Sequence, residues 1–153
     1  MSISLGIPSL LPITLASFLL FSGCERQVFT GKREARGVWM SRFEYAGGPN
    51  QNNPAAAQQR IRTVFEKARA ARMNMVFFQV RGNGDVLYRS EVEPWSTVLT
   101  GTLGKDPGWD PLAFALEEAH RLGLELHAWM NTFPVWRDSI PPPATTPPNP
   151  LFA

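Results

Sequence analysis

Residues 75 to 80 read Met-Val-Phe-Phe-Gln-Val, an almost unbroken apolar run that is too short for a helix. Such a run is the mark of a strand covered on both faces, as in parallel sheets, because a strand with one wet face alternates instead. Parallel neighbours are reached only by crossover connections, usually helical, so the run makes a demand on the sequence to either side of it.

Both sides meet that demand. Upstream, Asn53-Pro54 is a helix start: the Asn side chain can accept from an orphan amide, and Pro at the first helical position lacks an N–H that would go unpaired anyway. Ile61, Val64, Phe65 and Ala68 then recur at helical spacing. Arg60, Arg62, Glu66, Lys67 and Arg69 fill the remainder and read as a solvated surface. Before this helix, Gly37-Val38-Trp39-Met40-Ser41 reads as a first strand, followed by a Gly/Pro/Asn-rich loop from Gly47 to Pro54.

Downstream, Asp110-Pro111 repeats the cap-and-proline start. Leu112, Ala115, Leu116 and Ala119 repeat the stripe, and Gly123 stands where a left-handed C-terminal residue is wanted. Leu124 to Asn131 alternates. Leu124, Leu126, Ala128 and Met130 form an apolar side expected to face the helices, and Glu125, His127, Trp129 and Asn131 form a polar side.

Strand, helix, strand, helix, strand with connections of this length implies right-handed βαβ units and a parallel sheet. Doubly wound sheets and (β/α)8 barrels both begin this way. The barrel is favoured because no glycine fingerprint separates the first strand from the first helix, and because a polar third-strand face suits a barrel interior. A barrel needs roughly 200 residues or more, and this chain has 153. The expectation is therefore an α/β fold made of the N-terminal three βα units of a (β/α)8 TIM-type barrel, truncated, over residues 36–139, with a Pro-rich tail over 140–153.

Gln79 and Arg81 stand at the C-terminal end of the second strand, where barrels place ligands, and are expected to line a cleft together. His127, Trp129 and Asn131 run toward the same end of the third strand. The stretch from Gly82 to Trp109 has no helix or strand period, and so long a connection is more often functional than idle. It holds Asp85 and Glu93, each read either as a ligand contact or as a loop-ordering group. For Arg81 the alternative to gripping a ligand is a structural salt bridge. The run Gly82-Asn83-Gly84 lacks the third glycine of a phosphate loop and no helix starts directly after it.

Other chemistries are excluded more simply. Cys24 is the single cysteine, so neither an internal disulfide nor a dithiol pair can form. His120 and His127 are the two histidines, and no carboxylate cluster accompanies them, so no metal is expected, and no motif calls for a cofactor. The formal net charge of +2 is spread without a block of like charge, which gives no footprint for nucleic acid.

The N-terminus carries an address. Residues 1 to 24 contain no charged side chain, Leu5 to Phe21 is mostly apolar, and the run ends Phe21-Ser22-Gly23-Cys24. This resembles the lipobox of bacterial lipoproteins: residues 1–23 are expected to be a lipoprotein-type signal peptide, Cys24 the lipidated residue and residues 24–35 a tether. Another cleaved signal, or a membrane anchor interrupted by Pro8 and Pro12, are the alternatives. The protein is expected to be exported and lipid-anchored to a membrane of the bacterial cell envelope.

Three stretches together carry a family resemblance: Arg36-Gly37-Val38-Trp39; Phe78-Gln79-Val80-Arg81-Gly82-Asn83-Gly84-Asp85 with Glu93-Pro94-Trp95-Ser96; and Gly123-Leu124-Glu125-Leu126-His127-Ala128-Trp129-Met130-Asn131. In order and spacing they resemble the start of the glycosyl-hydrolase-like family 10 domain of bacterial exported proteins and lipoproteins. The resemblance covers about Arg36 to Val135 and implies a (β/α)8 barrel that hydrolyses glycosidic bonds, with cell-wall glycan or another polysaccharide as substrate. It makes Gln79, Arg81, Asp85, His127, Trp129 and Asn131 candidates for touching sugar. Glycoside hydrolysis usually needs two carboxyl groups, which related barrels carry on later strands. The main catalytic carboxylates are thus expected beyond residue 153, and this chain is expected to be an incomplete, inactive fragment. The rival reading is a non-catalytic glycan-binding or spacer lipoprotein. Open sheet edges make self-association a further expectation.

Overall fold

A computed structural model describes residues 34–152, so the signal sequence, Cys24 and all but the end of the 24–35 tether lie outside the described residues. Three strands, β1 (Gly37–Met40), β2 (Met75–Arg81) and β3 (Glu125–Met130), form one sheet in the order β1-β2-β3, parallel throughout. The crossover helices are α2 (Pro54–Ala70) and α4 (Pro111–Arg121); α1 (Arg42–Tyr45) and α3 (Thr97–Thr100) are single turns after β1 and in the long loop. This βαβαβ arrangement is a mixed α/β unit whose small parallel sheet is compatible with part of a barrel.

The helix starts follow their caps. Asn53 Oδ1 accepts from Ala56 N at 3.1 Å and Asp110 Oδ1 accepts from Ala113 N at 3.0 Å, each with a proline next in the chain. Both helices also end alike. After α4, Gly123 takes φ 65° and Leu124 N donates to Ala119 O at 2.9 Å. After α2, Arg72 takes φ 58° and Met73 N donates to Ala68 O at 2.9 Å. The two are the same left-handed C-terminal motif, built once with glycine and once with a residue whose Cβ makes that conformation costly.

One face of the sheet is the core. Met40, Val76, Phe78 and Val80 are buried against Ile61 and Phe65 of α2, Ala115 and Ala119 of α4, and Leu124. Phe78 is held between Tyr45, stacked at 4.4 Å, and Phe65, edge-on at 6.1 Å. Each such buried aromatic contributes about 1.5–3 kcal/mol of transfer free energy. Leu124 and Leu126 join the core as their alternation predicts, whereas Ala128 and Met130 are exposed because α4 covers only the first part of this edge strand. On the outside, Glu118 ties the helices together: it accepts from Arg62 Nε of α2 at 2.9 Å and from Arg121 Nε at 2.9 Å.

The other face carries Trp39, Phe77 and His127 in register across the three strands, with Trp129 two residues further along β3, opposite Gln79. There the ladder keeps step as far as Gln79 opposite Trp129 and then slips, so that Arg81 stands opposite Met130. Such a bulge bends a strand and re-aims the residues beyond it.

Candidate functional site

The C-terminal ends of parallel strands are where α/β proteins hold ligands, and the segments following β1, β2 and β3 converge at that end. Arg42 follows β1 almost at once and is buried. Its backbone N donates to Gln79 Oε1 at 3.1 Å, while Tyr45 Oη donates to Gln79 O at 2.7 Å. Burial pushes the Tyr45 pKa well up, so the phenol stays a donor. Gln79 is thus held from both ends by the turn that leaves β1.

Arg42 also reaches the loop after β2. Its Nη1 donates to Asp85 Oδ1 at 3.0 Å, and both side chains are almost wholly buried. Asp85 is also held from other directions, since Oδ2 accepts from Ser96 Oγ at 2.6 Å and Oδ1 accepts from Asn83 N at 2.9 Å. Gly82 lies beneath the guanidinium, where a Cβ would coincide with Nη1. Asp85 therefore fastens the first and second strand-end segments together.

A second clamp uses Arg81. Its Nε donates to Glu93 Oε2 at 2.8 Å and its Nη2 to Glu93 Oε1 at 2.6 Å, a two-pronged pairing that raises the guanidinium pKa. Arg81 Nη1 donates to the carbonyl of Asn131, and to that of Thr132 at 3.3 Å, so the same side chain binds the exit of β3. The Pro-rich stretch then folds back: Asn149 is fully buried and its Nδ2 donates to Gly84 O at 2.9 Å. Gly84 has φ 68°, and a Cβ there would come within 2.7 Å of Val135 O, so both space and conformation call for glycine.

The remaining sequence candidates lie on the uncovered sheet face. Trp39 stacks on Phe77 at 4.5 Å and meets Trp129 edge-on at 5.1 Å; Phe77 also lies 5.3 Å from His127. Trp129 Nε1 donates to Asn131 Oδ1 at 3.0 Å, which satisfies the indole and leaves ring surface. Trp39 is 59% exposed. The result is an aromatic band running from β1 to β3 beneath the polar strand ends.

A pocket of about 260 Å³ opens at the same end, lined by Arg42 and Phe43 after β1, Asp85 and Thr97 after β2, and Trp136 and Arg137 after β3. Of the six residues singled out in the sequence, Asp85 reaches this pocket; Gln79 and Arg81 brace its surroundings, and His127, Trp129 and Asn131 belong to the band and its rim. Arg42, Tyr45, Ser96, Trp39, Trp136 and Asn149 were not singled out as site residues. For Arg42 a signal existed, because a charged residue just past a strand end occupies the place that drew attention to Arg81.

Comparison with known proteins places the chain in a family. The family model described as Glycosyl hydrolase-like 10 matches residues 34–140. The chain is 37% identical over 109 residues to glycosyl hydrolase DigH of Escherichia coli strain K12, covering 65% of this chain and 25% of that protein. It is 38% identical over 103 residues to glycosyl hydrolase YngK of Bacillus subtilis strain 168, covering 66% of this chain and 20% of that protein. The matched region thus spans about a quarter or less of each curated relative. With the family model covering both crossover units and every clamp residue but Asn149, the chain belongs to the Glycosyl hydrolase-like 10 family.

Proposed function

We propose that this chain forms the glycan-binding wall of a (β/α)8-barrel hydrolase of the bacterial cell envelope, exported, lipid-anchored through Cys24, and directed at cell-wall glycan or another polysaccharide. The observation that carries the reading is Trp129 toward the C-terminal end of β3, its indole N–H spent on Asn131 and its ring beside the polar strand ends. Flat ring faces suit the apolar faces of pyranose rings, and nearby amides and guanidinium groups suit hydroxyls. In this role Gln79, Arg81 and Asp85 shape the cleft, while His127, Trp129 and Asn131 meet sugar.

The carboxylates favour binding over cleavage by this part of the molecule. Hydrolysis usually needs a protonated donor and a nucleophile or base, but Asp85 and Glu93 are each ion-paired with an arginine. Both oxygens of each carboxylate already accept hydrogen bonds from within the protein, so neither group is presented free to a glycosidic bond. The chain alone is therefore expected to bind glycan without releasing reducing sugar from it.

Sedimentation with purified cell-wall glycan tests the reading. The chain should co-sediment, Trp129→Ala should weaken binding about tenfold, the loss expected of a stacking residue worth about 1–2 kcal/mol, and reducing ends should not accumulate. Failure to co-sediment, or full binding by Trp129→Ala, would overturn it. Lipid attachment is tested separately: labelled palmitate should mark the protein in cells, and Cys24→Ser should abolish the label.

A further inference from the structure

We infer that the fold docks on an anionic phospholipid surface through Lys67, Arg69 and Arg72, with the strand-end site turned away from that surface. This deepens the lipid-anchor reading and rests on it. The chain enters the fold at one fixed place. Asn74 is buried, donates from Nδ2 to Glu34 O at 2.7 Å and accepts at Oδ1 from Arg36 N at 2.9 Å, which fastens the end of the tether to the turn between α2 and β2. Cys24 stands ten positions before Glu34, a reach of at most roughly 35 Å. A lipid on that cysteine keeps this end of the fold close to the bilayer.

The end so presented is basic. Lys67 and Arg69 occupy the last turn of α2, and Arg72 follows it; all three are exposed, and their side chains have no hydrogen-bond or ion-pair partner among the described residues. Arg36 adds a fourth cation beside them, its Nε donating to Arg72 O at 2.8 Å. The acids here are engaged elsewhere: Glu34 pairs with Arg36 at 3.2 Å, Glu66 with Arg121 at 3.5 Å, and Glu118 with both Arg62 and Arg121. Glu125 lies 3.5 Å from His127. The tether adds Arg26, Lys32 and Arg33 against Glu25 alone, so the excess of positive charge continues toward Cys24.

Cations in a last helical turn suit the helix dipole, but that account does not reach Arg72, which lies past the helix at φ 58°. Like charges gathered at one end repel one another. An anionic surface turns that repulsion into attraction, about fivefold in affinity for each cation within a Debye length of it. The parallel sheet then sets the orientation. Every strand starts at the tether end and finishes at the other, and the seven residues of β2 hold the two ends roughly 20 Å apart. Docking by the first end leaves the second, with its pocket and Trp129, facing away from the membrane.

The experiment measures flotation of the purified, unlipidated full chain with two kinds of vesicle, phosphatidylcholine alone and phosphatidylcholine with phosphatidylglycerol. The apolar stretch within residues 1–23 contributes to both alike, so the difference between them reads charge. Binding to the anionic vesicles should be roughly tenfold or more tighter, and the difference should fade in about 1 M salt, where the Debye length is about 3 Å. Lys67→Gln, Arg69→Gln and Arg72→Gln combined should remove most of the preference, whereas Lys67→Arg, Arg69→Lys and Arg72→Lys combined should keep it. A preference that survives the three Gln changes, or one lost equally in the charge-keeping variant, would overturn the docking surface. So would a preference that vanishes when only Arg26, Lys32 and Arg33 are changed to Gln. Palmitate labelling of Cys24 does not depend on these cations: a labelled protein without the preference defeats this inference alone, and an unlabelled protein with it defeats the anchor alone.

Discussion

The Arg42 guanidinium occupies the space that any side chain at Gly82 would need. This is a negative relationship: it works because position 82 has nothing beyond Cα, and it places a charge over backbone in a buried site. Gly82→Ala should displace Arg42 from Asp85 and destabilise the chain by about 1–3 kcal/mol, the usual cost of overpacking. Urea unfolding of the variant against the parent measures it. A loss under about 0.5 kcal/mol, the range of neutral surface changes, would mean that Arg42 has another place to go.

Breaking the pair from the other side should cost more. Asp85→Asn keeps the shape of the side chain but leaves Arg42 buried and uncompensated, for an expected loss of about 3–5 kcal/mol. Replacing Arg42 by Met in the same chain should recover much of that loss, since a buried pair exchanged for apolar groups is often neutral. A double-mutant cycle read by denaturation separates the two; simple additivity would show that the residues are not coupled.

Much of the frame was legible because it is written locally. Asn53 and Asp110 announce their helices by cap chemistry, Gly123 announces an end, and the run from Met75 is a strand by length and composition alone. What escaped is long-range or too short to show a period. The turn Arg42–Tyr45 is a single helical turn, Arg42 finds Asp85 across 43 positions, and Asn149 finds Gly84 across 65. The slip after Gln79 is equally silent, since alternation placed Gln79 and Arg81 side by side and only the pairing with β3 separates their registers. The candidate residues were therefore legible as a set of polar strand ends, without the clamps that organise them.

Arg72 is the exception to the local grammar, and it offers a gain. It holds the left-handed position that Gly123 holds after α4, at φ 58°. Its own contribution there is a backbone carbonyl, which accepts from Arg36 Nε at 2.8 Å and would survive substitution. Arg72→Gly should stabilise the chain by about 0.5–1 kcal/mol, the relief of left-handed strain less the extra freedom of the unfolded glycine. An unchanged or lowered midpoint in denaturant would show that the Arg72 side chain contributes more than its backbone conformation costs.

Acid should loosen the two helices before it unfolds the sheet. Burial alone would push the Glu118 pKa up, but its hydrogen bonds to Arg62 and Arg121 outweigh burial and hold it below the ordinary glutamate value. A carboxyl whose folded pKa is depressed contributes in full above its unfolded pKa and loses that contribution as pH falls through the folded one. Stability should therefore decline below the ordinary glutamate range, and Glu118→Gln should flatten that part of the profile. A variant with an unchanged acid slope would place the titrating group elsewhere.

The contact between Trp39 and Trp129, edge to face at 5.1 Å, has an optical consequence. Indoles this close do not absorb independently; their transition moments couple, and the circular dichroism of the folded chain should carry a split band that neither tryptophan gives alone. Anything that parts the two rings, or slides between them, erases the splitting. The uncovered face thus carries its own readout of occupancy, without any label attached.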